Sequence, residues 1–144
     1  MSSKLFAFFI LLLFVFSFIS CQKAETPQSA TEKIVSKRVG MVIGIKPEVI
    51  EEYKRLHADS NAGVRDLLSI ANMENFSIFI HQFDDGNYYL FGYYEYTGTN
   101  FDADMAEIAK KDRNIEWLKV CDPMQIPFKD QNSWSVMEQV YYNN

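Results

Sequence analysis

The segment Asp84-Asp-Gly-Asn87 constrains the fold of this chain more than any other stretch. It separates two runs of strand composition, residues 75–83 (NFSIFIHQF) and 88–96 (YYLFGYYEY). Glycine enters positive φ without steric cost, and Asp and Asn favour turns, so the segment closes an antiparallel hairpin around Gly86. Along the first arm, Phe76, Ile78 and Ile80 face one side, while Ser77, Phe79, His81 and Phe83 face the other. Large aromatic side chains therefore stand on both sides of the hairpin, and each side needs cover.

The flanking segments supply that cover. Residues 39–45 (VGMVIGI) form a β-branched apolar run that reads as a buried strand. Lys46-Pro47 ends it, and Pro47 suits the first turn of a helix whose start is crowded by Glu48, Glu51 and Glu52. Val49, Ile50, Tyr53 and Leu56 mark the inward stripe of that helix, with His57 beside it. Residues 59–63 (DSNAG) interrupt the periodicity, and Val64, Leu67, Leu68 and Ala71 carry a second helical stretch. After the hairpin, residues 101–111 and 113–121 read as helices, and Asp122-Pro123 stops the second. Residues 124–133 then read as a loop, and 134–142 as a final strand. The order strand, helix, hairpin, helix, strand is that of an α+β, ferredoxin-like split βαβ sandwich. It predicts a four-stranded antiparallel sheet with helices on one face. The aromatic face left over predicts a homodimer, with the two sheets forming an α+β barrel.

The N-terminal segment has a different character. Lys4 precedes an apolar run over residues 5–16, and Phe18-Ile-Ser-Cys21 follows. A short positive start, a short apolar run and a small residue at the cut describe an export signal. The run is shorter than the ~20 residues a membrane-spanning helix needs. The tetrapeptide resembles a bacterial lipobox, which implies lipidation of Cys21; the alternative is an uncleaved anchor. Either reading gives an exported, membrane-tethered protein. Residues 22–37 are polar and contain Pro27, as a flexible linker would be, so the chain divides into 1–21, 22–37 and a domain over 38–144. The remaining thiol, Cys121, reads as a small buried apolar residue with no base near it in sequence.

Composition excludes several classes of function. The net charge of −5 and the lack of a basic patch argue against nucleic acid. The chain has no P-loop, dinucleotide fingerprint, HExxH, CxxC or GxSxG, and its two histidines do not make an imidazole metal site. What remains is the helix Glu51-Glu-Tyr-Lys-Arg-Leu-His57, where Tyr53 and His57 share a face at a spacing of four. From spacing alone, His57 fits a packed histidine as well as a proton-transfer group. His81, in the alternating arm beside a polar turn, reads as an exposed or interface histidine.

The helix over residues 51–57 following Pro47 resembles the opening of the L-rhamnose mutarotases. The resemblance extends to residues 75–80 (NFSIFI), to Glu116-Trp117 with Asp122 and Met124, and to the ending Glu138-Gln-Val-Tyr-Tyr142. It implies a dimeric ferredoxin-like fold and cofactor-free interconversion of the α and β anomers of a pyranose. It further implies His57 as acid/base, Tyr53 in contact with the sugar, and Trp117 packed on the substrate. Three positions depart from the family pattern. Glu116 stands where a tryptophan pairs with Trp117, Phe76 stands where a tyrosine contacts substrate, and Asn61-Ala-Gly-Val64 replaces Trp-Pro-Glu-Leu. The proton-transfer pair is kept, while the wall that would select the sugar is altered.

The chemistry fits without the resemblance. Mutarotation needs a proton taken from the anomeric hydroxyl and one delivered to the ring oxygen, and an imidazole titrating near neutrality can do either. Aromatic rings stack on apolar sugar faces; Trp117 and Tyr53 suit that role, although Trp117 also suits plain core packing, and Glu116 could bond a hydroxyl. The expectation is therefore a lipid-anchored sugar mutarotase acting on L-rhamnose or a related deoxy sugar, without metal or cofactor. Two rival readings remain: a non-catalytic sugar-binding lipoprotein, and another small-ligand enzyme, such as a monooxygenase, on the same dimeric fold.

Overall fold

Ile43 and Ile45 are almost inaccessible to solvent, and the sheet is centred on the strand that carries them, β1 (Lys37–Ile45). The computed structural model describes residues 33–143. The expected export signal over residues 1–21 with Cys21, and residues 22–32 of the expected linker, lie outside the described residues. The sheet begins at Lys37, and the Ser36 amide just before it already donates to the Tyr96 carbonyl at 2.8 Å.

The hairpin forms as its turn dictates. Strands β2 (Met73–Gln82) and β3 (Tyr88–Tyr96) pair antiparallel, and Gly86 takes φ 80° in the turn between them. Asp85 accepts a hydrogen bond from the Asn87 amide at 2.9 Å, which fixes the bend. A register shift between Glu74 and Ser77 marks a β-bulge near the start of β2. β3 pairs antiparallel with β1 along its length, from Lys37 opposite Tyr96 to Ile45 opposite Tyr88.

Between β1 and β2 lie a 3-10 turn (Pro47–Val49), α1 (Ile50–His57) and α2 (Arg65–Ile70). Acidic Glu51 and Glu52 open α1, and Lys54 and Arg55 lie near its end, each charge complementing the helix dipole. After the hairpin come α3 (Phe101–Ala109) and α4 (Asp112–Cys121). The Asn100 side chain caps α3 by accepting from the Ala103 amide at 3.2 Å.

The pairing register shows which face the helices cover. Val39 lies opposite Tyr94 and Ile43 opposite Leu90, so these residues project to the same side. Tyr53 of α1 packs with Ile43, Ile45 and Leu90, and Phe101 of α3 packs against Val39, Tyr94 and Tyr96. Both helices therefore sit on one face of the sheet, as the split βαβ order requires. The other face carries Phe79 opposite Phe91, with Phe83 beside them at 6.1 Å from the Phe91 ring; Phe79 is 64% exposed.

The fourth strand position differs from the expectation. It is filled by two short strands, β4 (Gln125–Ile126) and β5 (Ser135–Met137), which pair with successive parts of the free edge of β1. β4 falls in the stretch expected as loop, and the single strand expected over residues 134–142 is limited to three residues. Past Met137, the chain leaves the ladder. Arg38 holds it there differently, with its guanidinium 3.5 Å from the centre of the Tyr142 ring. Among the described residues no helix is long and apolar enough to cross a membrane.

Candidate functional site

The spacing of four on α1 places the His57 imidazole on the Tyr53 ring, with centroids 4.1 Å apart and planes 25° from parallel. His57 Nδ1 lies 2.8 Å from the Tyr53 carbonyl oxygen. A carbonyl can only accept, so Nδ1 donates, and in the neutral ring the lone pair is on Nε2. Burial lowers the pKa of His57 below the ordinary histidine value; the bond to Tyr53 opposes this, and nearby positive Arg65 adds to it. The site thus holds a neutral imidazole with its basic nitrogen free.

Trp117 of α4 meets His57 edge to face, at 5.1 Å between centroids and 70° between planes. The loop after α1 also packs against the indole. Gly63 takes φ 52°, and a Cβ added there would lie 3.3 Å from Trp117 Cη2. Asn61 stabilises this turn by accepting from the Gly63 amide at 3.2 Å. Arg65 donates to the His57 carbonyl at 2.8 Å, which satisfies the end of α1. The interruption at residues 59–63 is therefore the piece that locks the tryptophan against the histidine.

These side chains line one cavity of about 490 Å³, reached by Tyr53, His57, Phe76 and Trp117 together. That volume lies in the range of small-molecule sites. Phe76 stacks on Tyr94 at 5.6 Å with planes 4° apart, so it offers the cavity an apolar surface and no hydroxyl. Burial pushes the Tyr53 hydroxyl well above the usual phenol range, with neighbouring Cys121 adding to the shift, so Tyr53 stays protonated. Burial likewise pushes the Cys121 thiol up to about 11, which leaves it protonated and unreactive near neutral pH.

The structure does not bring Glu116 to this cavity. Its carboxylate pairs with Lys119 at 2.6 Å on the outer side of α4 and is 68% exposed. Consecutive helical residues are separated by about 100° of rotation, so the residue next to Trp117 in sequence points elsewhere. The residues that share the Trp117 face are Asn114 and Cys121, three before and four after, and both line the cavity. Asn114 and Trp134 are among the cavity residues that carried no signal of their own in the sequence, as are Gln125 and Ser133. Helical spacing from Trp117 could have found Asn114; Trp134 reaches the cavity from beside β5, which no local pattern reveals. His81 lies on the opposite face of the sheet, edge-on to Phe83 at 4.8 Å and away from the cavity. Among the described residues no group of three His, Cys, Asp or Glu side chains is placed to hold a metal ion.

A family model described as L-rhamnose mutarotase matches residues 38–143. Among solved structures, the chain is similar to the crystal structure of an L-rhamnose mutarotase from Formosa agariphila. The TM-score is 0.56 at 21% sequence identity, over 76% of this chain and 100% of that one. At that identity, the likeness speaks for the fold. No curated protein matches the chain.

Proposed function

Because the chain belongs to the L-rhamnose mutarotase family, and so to the carbohydrate mutarotases, we propose that His57 performs its anomer interconversion by proton transfer. The observation that supports this most is the Nδ1 bond to the Tyr53 carbonyl, which leaves Nε2 free beside an aromatic cavity. In the proposed reaction Nε2 takes the proton of the anomeric hydroxyl as the bond between C1 and the ring oxygen breaks. The imidazolium then supplies a proton to that oxygen. The open aldehyde turns about C1–C2, and the reverse transfers close the ring with the other configuration at C1. No oxidation state changes, so the chemistry calls for no redox group. Trp117 and Tyr53 would hold the apolar side of the sugar, and Phe76 would extend that surface.

The test is anomer exchange on freshly dissolved L-rhamnose and related deoxy sugars, followed by NMR or polarimetry. Loss of a positioned acid/base typically costs 10²–10⁴-fold in rate, roughly the drop expected for His57→Gln. Equal exchange by wild type and His57→Gln would sink the assignment. Sugar binding by wild type without any exchange would instead favour the non-catalytic reading.

We propose two further properties. The exposed aromatic face around Phe79 and Phe83 supports a homodimer, to be checked by light scattering of wild type and Phe79→Glu. The sequence over residues 1–21 supports export and tethering through a lipidated Cys21. An unmodified Cys21 in the mass spectrum of the membrane-derived protein would remove that second property.

A further inference from the structure

Proton transfer leaves one buried polar side chain of the cavity without a task. Asn114 is 8% exposed, and it is the only buried polar or charged residue among the described residues. It belongs to the face of α4 that also presents Trp117 and Cys121, one helical turn before the indole. Its sequence neighbours turn outward, where Arg113 pairs with Asp66 and Glu116 with Lys119. No hydrogen bond from a described residue reaches the Asn114 carboxamide. Nor is it sealed inside packing, because among the described residues the only fully occluded side-chain polar atom without a hydrogen-bond partner is Nε of Arg38, which pairs in charge with Glu95. The amide is thus buried in the fold, unpartnered by protein, and open to the cavity that it lines.

With no partner in the protein, the amide can bond only to what enters the cavity, solvent or ligand. A carboxamide offers two N–H donors and a carbonyl acceptor side by side. A sugar hydroxyl both donates and accepts, so a pair of adjacent hydroxyls matches the amide at both ends. The apolar groups of the cavity, Phe76 and Trp117, cannot provide that reading. Asn114 lies about 4.5 Å along the helix axis from Trp117, and so reads a part of the ring other than the anomeric carbon at His57.

We propose that Asn114 is a specificity-determining residue of this cavity, binding ring hydroxyls remote from C1 through its side-chain amide. This inference rests on the pyranose reading of the same site. It assigns sugar choice to α4, whereas proton transfer belongs to α1.

The test compares wild type, Asn114→Leu and Asn114→Ser on L-rhamnose and on its 2-, 3- and 4-deoxy analogues. Exchange kinetics, calorimetric binding and thermal unfolding are measured for each protein. A site built to bond a hydroxyl discriminates strongly against loss of that bond, so KM for L-rhamnose should rise about tenfold or more in Asn114→Leu. The kcat should stay within about threefold, because the lost bond is made equally in ground and transition states. The penalty should vanish on the analogue that lacks the hydroxyl being read. The Tm of Asn114→Leu should stay close to that of wild type, because the substitution breaks no hydrogen bond within the protein. Unchanged KM across the panel overturns the inference, and so does a Tm loss in both variants with unaltered sugar discrimination. If Asn114→Leu does not fold, Asn114→Ser carries the same kinetic comparison. Wild type that binds sugars without exchanging them removes the mutarotase reading alone, and Kd then replaces KM as the readout. Wild type that binds none of the panel removes both.

Discussion

The two faces of the sheet are built from similar side chains and are put to different uses. On the helix-covered face, Tyr53, Phe76, Trp117 and Trp134 enclose a cavity that also holds a neutral imidazole and an unpartnered amide. On the bare face, Phe79, Phe83, Tyr89 and Phe91 form an aromatic layer, with Phe128 stacked on Tyr89 at 5.9 Å. The period of two along β2 and β3 sends alternate residues to each face, so a single hairpin provisions both. What separates them is the helix side. There α1 and α4 bring His57 and Asn114 to the same cavity as Tyr53 and Trp117. Aromatic content alone therefore says little about chemistry; a titratable group enclosed with it says more.

The comparison breaks most sharply at the buried centre. Ile43→Ala on the covered face should cost about 2–5 kcal/mol in chemical denaturation, since the site is inaccessible and cannot collapse freely. The matching substitution on the bare face, Phe79→Ala, should change the stability of a single chain by no more than about 0.5 kcal/mol. Equal losses at the two positions would erase the distinction between the faces.

A smaller effect is expected where the loop meets Trp117. Gly63→Ala adds a Cβ at φ 52° and 3.3 Å from the indole, and the backbone strain alone is worth about 1–2 kcal/mol. The loss should appear in unfolding, together with weaker sugar binding as Trp117 shifts. A stable variant with unchanged binding would show that the loop does not set the indole. The smallest effect belongs to Glu116. Its pairing with Lys119 is largely exposed, so Glu116→Gln should alter stability by about 1 kcal/mol at most and leave sugar binding unchanged.

Much of the fold can be read from the chain because its signals are local. The β-branched run at residues 39–45, the Asp-Asp-Gly-Asn turn and the charged ends of α1 each specify their own structure. The last edge of the sheet cannot be read this way. Gln125–Ile126 is too short to show any period, and the strand-forming Val140, Tyr141 and Tyr142 follow Met137 although no ladder receives them. Whether a segment pairs depends on which part of the β1 edge is still free, and that is a tertiary fact. The site divides in the same way. Tyr53 and His57 are legible because four residues of helix bring them together. Glu116 misleads because adjacency in sequence is not adjacency on a helix face. Asn114 becomes visible only when the cavity shows which side of α4 it occupies.

The central claim is that a neutral His57 on the covered face drives anomer exchange, and its pH dependence tests this most directly. Burial favours the uncharged imidazole, so its folded pKa lies below the ordinary 6.5, the direction opposite to that of a histidine gaining an anionic partner. The base is therefore present at neutral pH and is lost as pH falls through that lowered value. Unfolding frees the imidazole to take a proton, so the stability this residue contributes also declines as pH drops below about 6.5. Measured from pH 4 to 8, the catalysed exchange rate should hold a plateau near neutrality and fall on an acid limb with its midpoint below that of free histidine. The limb should be absent from whatever rate remains in His57→Gln. A wild-type profile that stays flat or rises on acidification, or an identical limb in the variant, would contradict the account.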